Sequence, residues 1–570
     1  MQKRYIAICA AAAVSAAAQG APGFLHEMPR GTNEKPLDTP YAEMAETFRN
    51  PFDKVQTGCY WYWMGGNISC DGVRKDLEAM KKAGIDRPYI GDIGGGGNGQ
   101  GPVKTFSPEW NEVLQTAFST ASRLGIEIGL FNSPGWSQSG GPWVKPEMAM
   151  RRVVSSVVVV DGPSDGVVLP APKFEYAPQK DMRDVCAIAY PVPKGLDGRL
   201  EKRAAKDAPL EAAKDKPLVV ELASPEPFEA QSAEIVLASG MGSGDIVVEA
   251  ETGGAWKRIC KMPYSRYNHG PGVGFAPHAP IFAAFSPTTA KRFRVTVSTT
   301  RTDAAAGFAS VAVCTAPHVE RAVEKSLGKM HETPLPMWSE YKWPVEMECA
   351  EGSALDPSKA VVLTGKVAPD GKLDWKVPAG TWAIYRIASA PTGTKNGPAN
   401  PEARGYEVDK MSREHIAAHF DAYLGKILEA TPPESRKAIR HAVLDSYEQG
   451  GQNFTDHFAE KFKASFGYDP TPYLPVMHGT AVGSRADSDR FLWDLRRFVA
   501  DEVAYSYVGG LRKASNAHGM ETWLECYGHW GFPGEFLQYG GQSDGIAGEY
   551  WCEGSLGDIE NRAASSCAHI

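Results

Sequence analysis

Five short segments of this 570-residue chain set carboxylates beside aromatic and amide side chains. They read YWYWMGGN at 60–67, NSPGWSQSGGP at 132–142, DSYEQGGQN at 445–453, ECYGHW at 525–530 and EYW at 549–551. This mixture suits a sugar. Aromatic rings cover the C–H-rich faces of a pyranose, amides grip hydroxyls, and two carboxylates supply the acid and base for acetal cleavage. A single strand-end glutamate is more often an ion-pair partner, so the argument rests on recurrence at five places.

Other motifs point to less. Gly94–Gly99 satisfies G-x-G-x-x-G, but Pro102 follows and no helix opens there, so nothing would cradle a phosphate. Gly135–Ser139 (GWSQS) lacks the second glycine of a nucleophile elbow. His415 and His419 are one helical turn apart without an HExxH frame, which reads as a packed or solvated pair. EF-hand spacing is absent, so any Ca²⁺ site would need dispersed ligands.

The elements that must position these segments follow a recurring grammar. An amphipathic helix over Asp71–Ala83 stops at Gly84 and precedes a strand at Arg87–Ile93. A second helix, Ser107–Leu124, has Ser107 as N-cap, Pro108 at the first turn and Trp110, Val113, Leu114, Ala117, Phe118, Ala121 and Leu124 as its buried stripe. Gly125 ends it before the strand Ile126–Phe131. Such alternation favours a parallel sheet. It resumes after residue 316 with a helix at Ser412–Leu428, a strand at Ile439–Asp445, a long helix within Ser488–His518 and a strand at Thr522–Cys526. With Gly58–Trp63 and Ile546–Trp551, six barrel strands are expected. Between the two stretches the grammar is all β. The expected division is a lead-in segment (19–50), a first barrel part (51–192), a linker (193–216), an inserted jelly-roll-like β-sandwich (217–316) and a continued (β/α) barrel (317–570). Catalytic groups would then sit at the C-terminal ends of the strands.

Composition sets outer limits. Lys plus Arg total 60 against 68 Asp plus Glu, a net charge of −8 that argues against partners held by a general positive field, such as nucleic acid. The 14 Trp are on the rich side for a chain of this length and fit a glycan cleft or core filling. Lys3 and Arg4, the apolar run Tyr5–Ala18 and the small-residue site Ala16–Ala18 read as a signal peptide (1–18), so an exported protein, periplasmic or extracellular, is expected. That run is too short to span a bilayer and no other segment is long enough. Nine cysteines follow it without a C-x-x-C pair, and most of them read as small buried hydrophobes.

At the same residues the chain resembles the α-L-rhamnosidases of glycoside hydrolase family 106. The resemblance runs through YWYWMGGNIS, NSPGWSQSGGPWVKPEMAM, WKVPAGTWAIYRI, PTGTKNGPANPEARGYEVDKMS, LDSYEQGGQNFTDHFAEKF, FGYDPTPYLPVMHG, ECYGHW, GEYW and SSCAHI, in order, over about 50–160 and 340–570. It implies exo-acting removal of α-L-rhamnosyl residues from plant-type or other complex glycans, with inversion and with Ca²⁺. Glu448 and Glu549 are implied in the catalytic centre, Glu525 is a third candidate, and Asn132, Trp136, Asp445, Tyr527 and His529 are implied near the sugar. In the family a further strand with another glutamate follows the SSCAHI-like segment, whereas Ile570 is the last residue here, so a barrel lacking its C-terminal end is expected. Two rival readings stay open: a non-catalytic carbohydrate-binding remnant, and another exo-glycosidase or glycan lyase on the same scaffold.

Overall fold

The computed structural model describes residues 40–570 except 51–55, 97–98, 138, 194, 240–242, 267–278, 301–304, 328–345, 527–533 and 551–558. The proposed signal peptide and most of the lead-in segment therefore lie outside the described residues. Its site-bearing layer is a six-stranded, all-parallel sheet. The strands are β1 (Thr57–Met64), β2 (Ile85–Ile93), β3 (Ile128–Phe131), β4 (Ile439–Leu444), β5 (Glu521–Glu525) and β6 (Gly545–Ala547), paired in chain order. All six expected strands are present.

The sheet curls into a half-barrel. The rings of Tyr60 on β1 and Trp523 on β5 have centroids 5.7 Å apart, although three strands separate them. In a flat sheet, at roughly 4.8 Å per strand, β1 and β5 would lie about 19 Å apart. Helices α1 (Cys70–Ala83) and α2 (Pro108–Leu124) cover the convex side through Val73 and Leu77 and through Trp110, Val113, Leu114, Ala117, Phe118 and Ala121. Their ends follow the sequence: Ser69 Oγ accepts from Gly72 N, Ser107 Oγ accepts from Trp110 N, and Gly84 and Gly125 close each helix in the left-handed region.

The intervening residues depart from expectation in two ways. The β run at 153–160 and the strand-rich stretch 371–387, assigned above to the two barrel parts, pair with each other: Arg151–Ser164 runs antiparallel to Val377–Pro391. With Arg183–Pro191 and Val361–Val362 they form a four-stranded antiparallel sheet. Long runs of valine mark a strand, but they do not specify its partner. The segment 193–216, expected as a linker, contains the strands Arg199–Arg203 and Leu210–Ala212, which both pair with Ala306–Cys314. They belong to a seven-stranded antiparallel sheet with Leu218–Ser239, Ser243–Thr252, Ala255–Ser265 and Ile281–Val297. That sheet has its own core, including Leu222, Ile235, Val248, Phe293 and Val313. Among the described residues no helix is long and apolar enough to cross a membrane.

Candidate active site

In β1 the side chains alternate across the sheet. Trp61 and Trp63 face the helices and are buried there, with Trp61 Nε1 donating to Asp76 Oδ2 at 3.2 Å. They are core residues, contrary to their expected place in a sugar cleft. Tyr60 and Tyr62 face the concave side, stacked on each other with centroids 5.5 Å apart. Around them lie Tyr89, Phe131, Trp136 and Trp523, forming a continuous aromatic floor.

Four carboxylates meet this floor from the C-terminal ends of the strands. Asp445 directly follows β4 and Glu448 lies three residues on, Glu525 is the last residue of β5, and Glu549 lies two residues past β6. Their grouping is visible in the phenols. Tyr62 is pushed well above its ordinary pKa by burial first, then by Asp445, Glu525, Glu549 and Glu448; Tyr60 is raised likewise by burial, Asp445, Glu525 and Glu549. Both phenols therefore stay protonated and can donate to a ligand.

The carboxylates differ in their surroundings. Glu448 is half-buried and accepts a hydrogen bond from Trp136 Nε1 at 3.2 Å. Asp445 and Glu525 are each 4% exposed. Ser446 Oγ bridges them, 3.0 Å from Asp445 Oδ1 and 2.9 Å from Glu525 Oε2. Burial raises the Glu525 pKa far above the carboxylate range, and its hydrogen bond to Asp445, the Asp445 charge and the Glu549 charge add to this. Glu525 therefore holds its proton far more firmly than an ordinary carboxylic acid. A cleft of about 670 Å³ opens between the two ends of the sheet, lined by Tyr60, Tyr89, Trp523, Glu525, Glu549 and Tyr550 among others.

Trp136 owes its place to a loop with little freedom. Gly135 has φ +84°, and a Cβ there would sit 2.7 Å from the Gly397 backbone. Gly135 N donates to Asp92 O, Ser137 N to Gly397 O, and Asn396 Nδ2 to Pro134 O. Beneath the loop, Ser139 N donates to Glu407, which pairs at 2.6 Å with Lys410, and both side chains are fully buried. Lys410 also lies under the rings of Tyr507 and Tyr447, at 5.2 and 5.9 Å. Glu407 and Lys410 lie in the family-like segment PTGTKNGPANPEARGYEVDKMS, but nothing in their residue types or spacing singles them out as a buried pair.

The remaining candidates are placed as follows. Asn132 is 2% exposed and works within the protein: its Nδ2 donates to Val443 O and its Oδ1 accepts from Ser139 Oγ. Tyr527, His529, Trp530 and Trp551 lie outside the described residues. His415 and His419 diverge. His419, lowered to about pKa 3 by burial, accepts from Trp143 and meets Asn132 O at 2.9 Å, while His415 faces Asp409 and Asp456. Among the described residues no three His, Cys, Asp or Glu converge as metal ligands.

A Novosphingobium sp. PP1Y rhamnosidase of known structure is similar to this chain at a TM-score of 0.76 and 27% identity, over 92% of this chain and 52% of that one. A Formosa agariphila protein provisionally named a beta-glucuronidase is 26% identical over 529 residues, 93% of this chain and 34% of that protein. The chain thus spans about half the length of the first and about a third of the second. The family model for the alpha-L-rhamnosidases matches residues 49–570. The chain belongs to this alpha-L-rhamnosidase family of glycoside hydrolases, family 106.

Proposed function

We propose that the protein is an exported, exo-acting glycoside hydrolase that removes α-L-rhamnosyl residues from complex glycans with inversion. The observation that carries this reading is the meeting of Asp445, Glu448, Glu525 and Glu549 over one aromatic floor. Glu448 and Glu549 supply the catalytic carboxyls, with a water between them in an inverting displacement. Tyr60, Tyr62 and Trp136 cover an apolar sugar face, and the methyl group of a 6-deoxy sugar suits that floor. A uronic acid would bring its own negative charge against four carboxyl groups, which favours the neutral sugar over the glucuronide suggested by the Formosa name. The half-barrel is read as part of a (β/α) barrel that the antiparallel sheets interrupt. Oxygen donors of this kind suit a hard cation such as Ca²⁺.

The test is release of rhamnose from an aryl α-L-rhamnoside, with Glu448→Gln and Glu549→Gln beside the parent. Each variant is expected to lose about 10²-fold or more in kcat. The variant whose loss shrinks with a better leaving group has lost the general acid. A loss within twofold in either would overturn the assignment. Rhamnoside binding by calorimetry without turnover would favour the carbohydrate-binding reading, and an unsaturated, ultraviolet-absorbing product would favour a lyase.

A further inference from the structure

Cys526 and Cys567 are far apart in sequence and neighbours in space. Cys526 directly follows β5, Cys567 lies in the helix Ile559–His569, and both are buried. A Cβ on Gly540 would lie 3.0 Å from the Cys526 sulfur and 2.8 Å from the Cys567 sulfur, so both sulfurs crowd a single point. Gly540 ends the short helix Phe536–Gly540, and the two thiols point at successive carbonyls of that helix. Cys526 Sγ is 3.9 Å from Phe536 O, and Cys567 Sγ is 3.3 Å from Leu537 O. Any larger residue at 540 would push the sulfurs apart.

We propose that Cys526 and Cys567 are a disulfide site, closed when the chain folds in an oxidising compartment. Two S–H bonds break and one S–S bond forms. The two electrons and two protons pass to a small-molecule or protein disulfide, which leaves as the dithiol. Both sulfurs lie within 3.0 Å of one point, so rotation of the two side chains is what must bring them to bonding distance. Burial raises the Cys567 pKa, so thiolate is scarce in the folded chain and the bond closes during folding. The cross-link pins the helix Ile559–His569 to the end of β5, one residue past Glu525. In the cell it depends on the proposed export; its chemistry is independent of the rhamnosidase reading.

The whole chain is refolded from the reduced state in a glutathione redox buffer, denatured, alkylated without reduction and digested. The peptides carrying Cys526 and Cys567 are expected as one cross-linked species, two hydrogens lighter than their sum, which separates on reduction. In Cys526→Ser, Cys567 becomes alkylated, and in Cys567→Ser, Cys526 does. Full alkylation of both in the parent would overturn the proposal, as would cross-linking of either to another cysteine such as Cys552. The parent chain alone decides the matter if a variant does not fold.

Discussion

Glu525 sits where a carboxylate is least at ease: 4% exposed, against Asp445 and within the field of Glu549. Its raised pKa makes the folded chain hold a proton that the unfolded chain releases above its ordinary value of 4.5. In that window the folded state binds more protons, so this residue lowers stability as pH rises. Glu525→Gln cannot ionise and keeps an oxygen for Ser446. The variant is expected to melt with the parent near pH 4 and above it by a margin that grows from pH 5 to 8. A margin that stays flat across that range, by scanning calorimetry, would show that Glu525 holds no such proton. The carboxylates themselves were legible in the sequence because they cluster with aromatic and amide residues. The bridge through Ser446 was not, since a serine beside an aspartate has no signature of its own.

At the scale of elements, β1 shows both sides of what a sequence tells. Its YWYW alternation says that Tyr and Trp face opposite ways. Which pair faces the glycan depends on which side the helices cover, and the tryptophans went to the helices. The ends of the first two helices were readable to within a residue because Ser caps and Gly stops act locally, whereas the long helix expected from Ser488 starts at Arg485 behind its Ser484 cap. On β3 a glycine makes room for the floor: a Cβ on Gly129 would lie 2.2 Å from Tyr89 Cδ1. Tyr89 in turn packs on Trp523 with centroids 5.0 Å apart. Gly129→Ala is expected to cost about 1–3 kcal/mol through overpacking. Urea unfolding would measure that loss, and a changed near-ultraviolet dichroism of the aromatic floor should accompany it. An unchanged midpoint would mean that Tyr89 can step aside freely.

Across the whole molecule, the antiparallel domain and the half-barrel layer are joined at Arg485, the first residue of the helix Arg485–Glu502 and 1% exposed. Its guanidinium donates to the carbonyls of Gln231, Phe285, His318, Met347 and Glu348, the first two lying on strands of the seven-stranded sheet. Arg485→Ala leaves these buried carbonyls without their donor. At about 1.5–3 kcal/mol for a charged hydrogen bond, a loss of at least about 3 kcal/mol is expected, with the antiparallel domain melting as a separate calorimetric transition. A single transition at the parent's midpoint would assign the joint elsewhere. The sequence by itself determined the six site-bearing strands and the helices beside them, because periodicity and caps are properties of short segments. Only the tertiary structure decided that 153–160 pairs with 382–389, that Tyr60 and Tyr62 rather than Trp61 and Trp63 form the floor, and that Glu525 is buried beside Asp445 and Ser446. Each of these depends on distance and burial between residues remote in the chain, where partner choice and desolvation are set by packing.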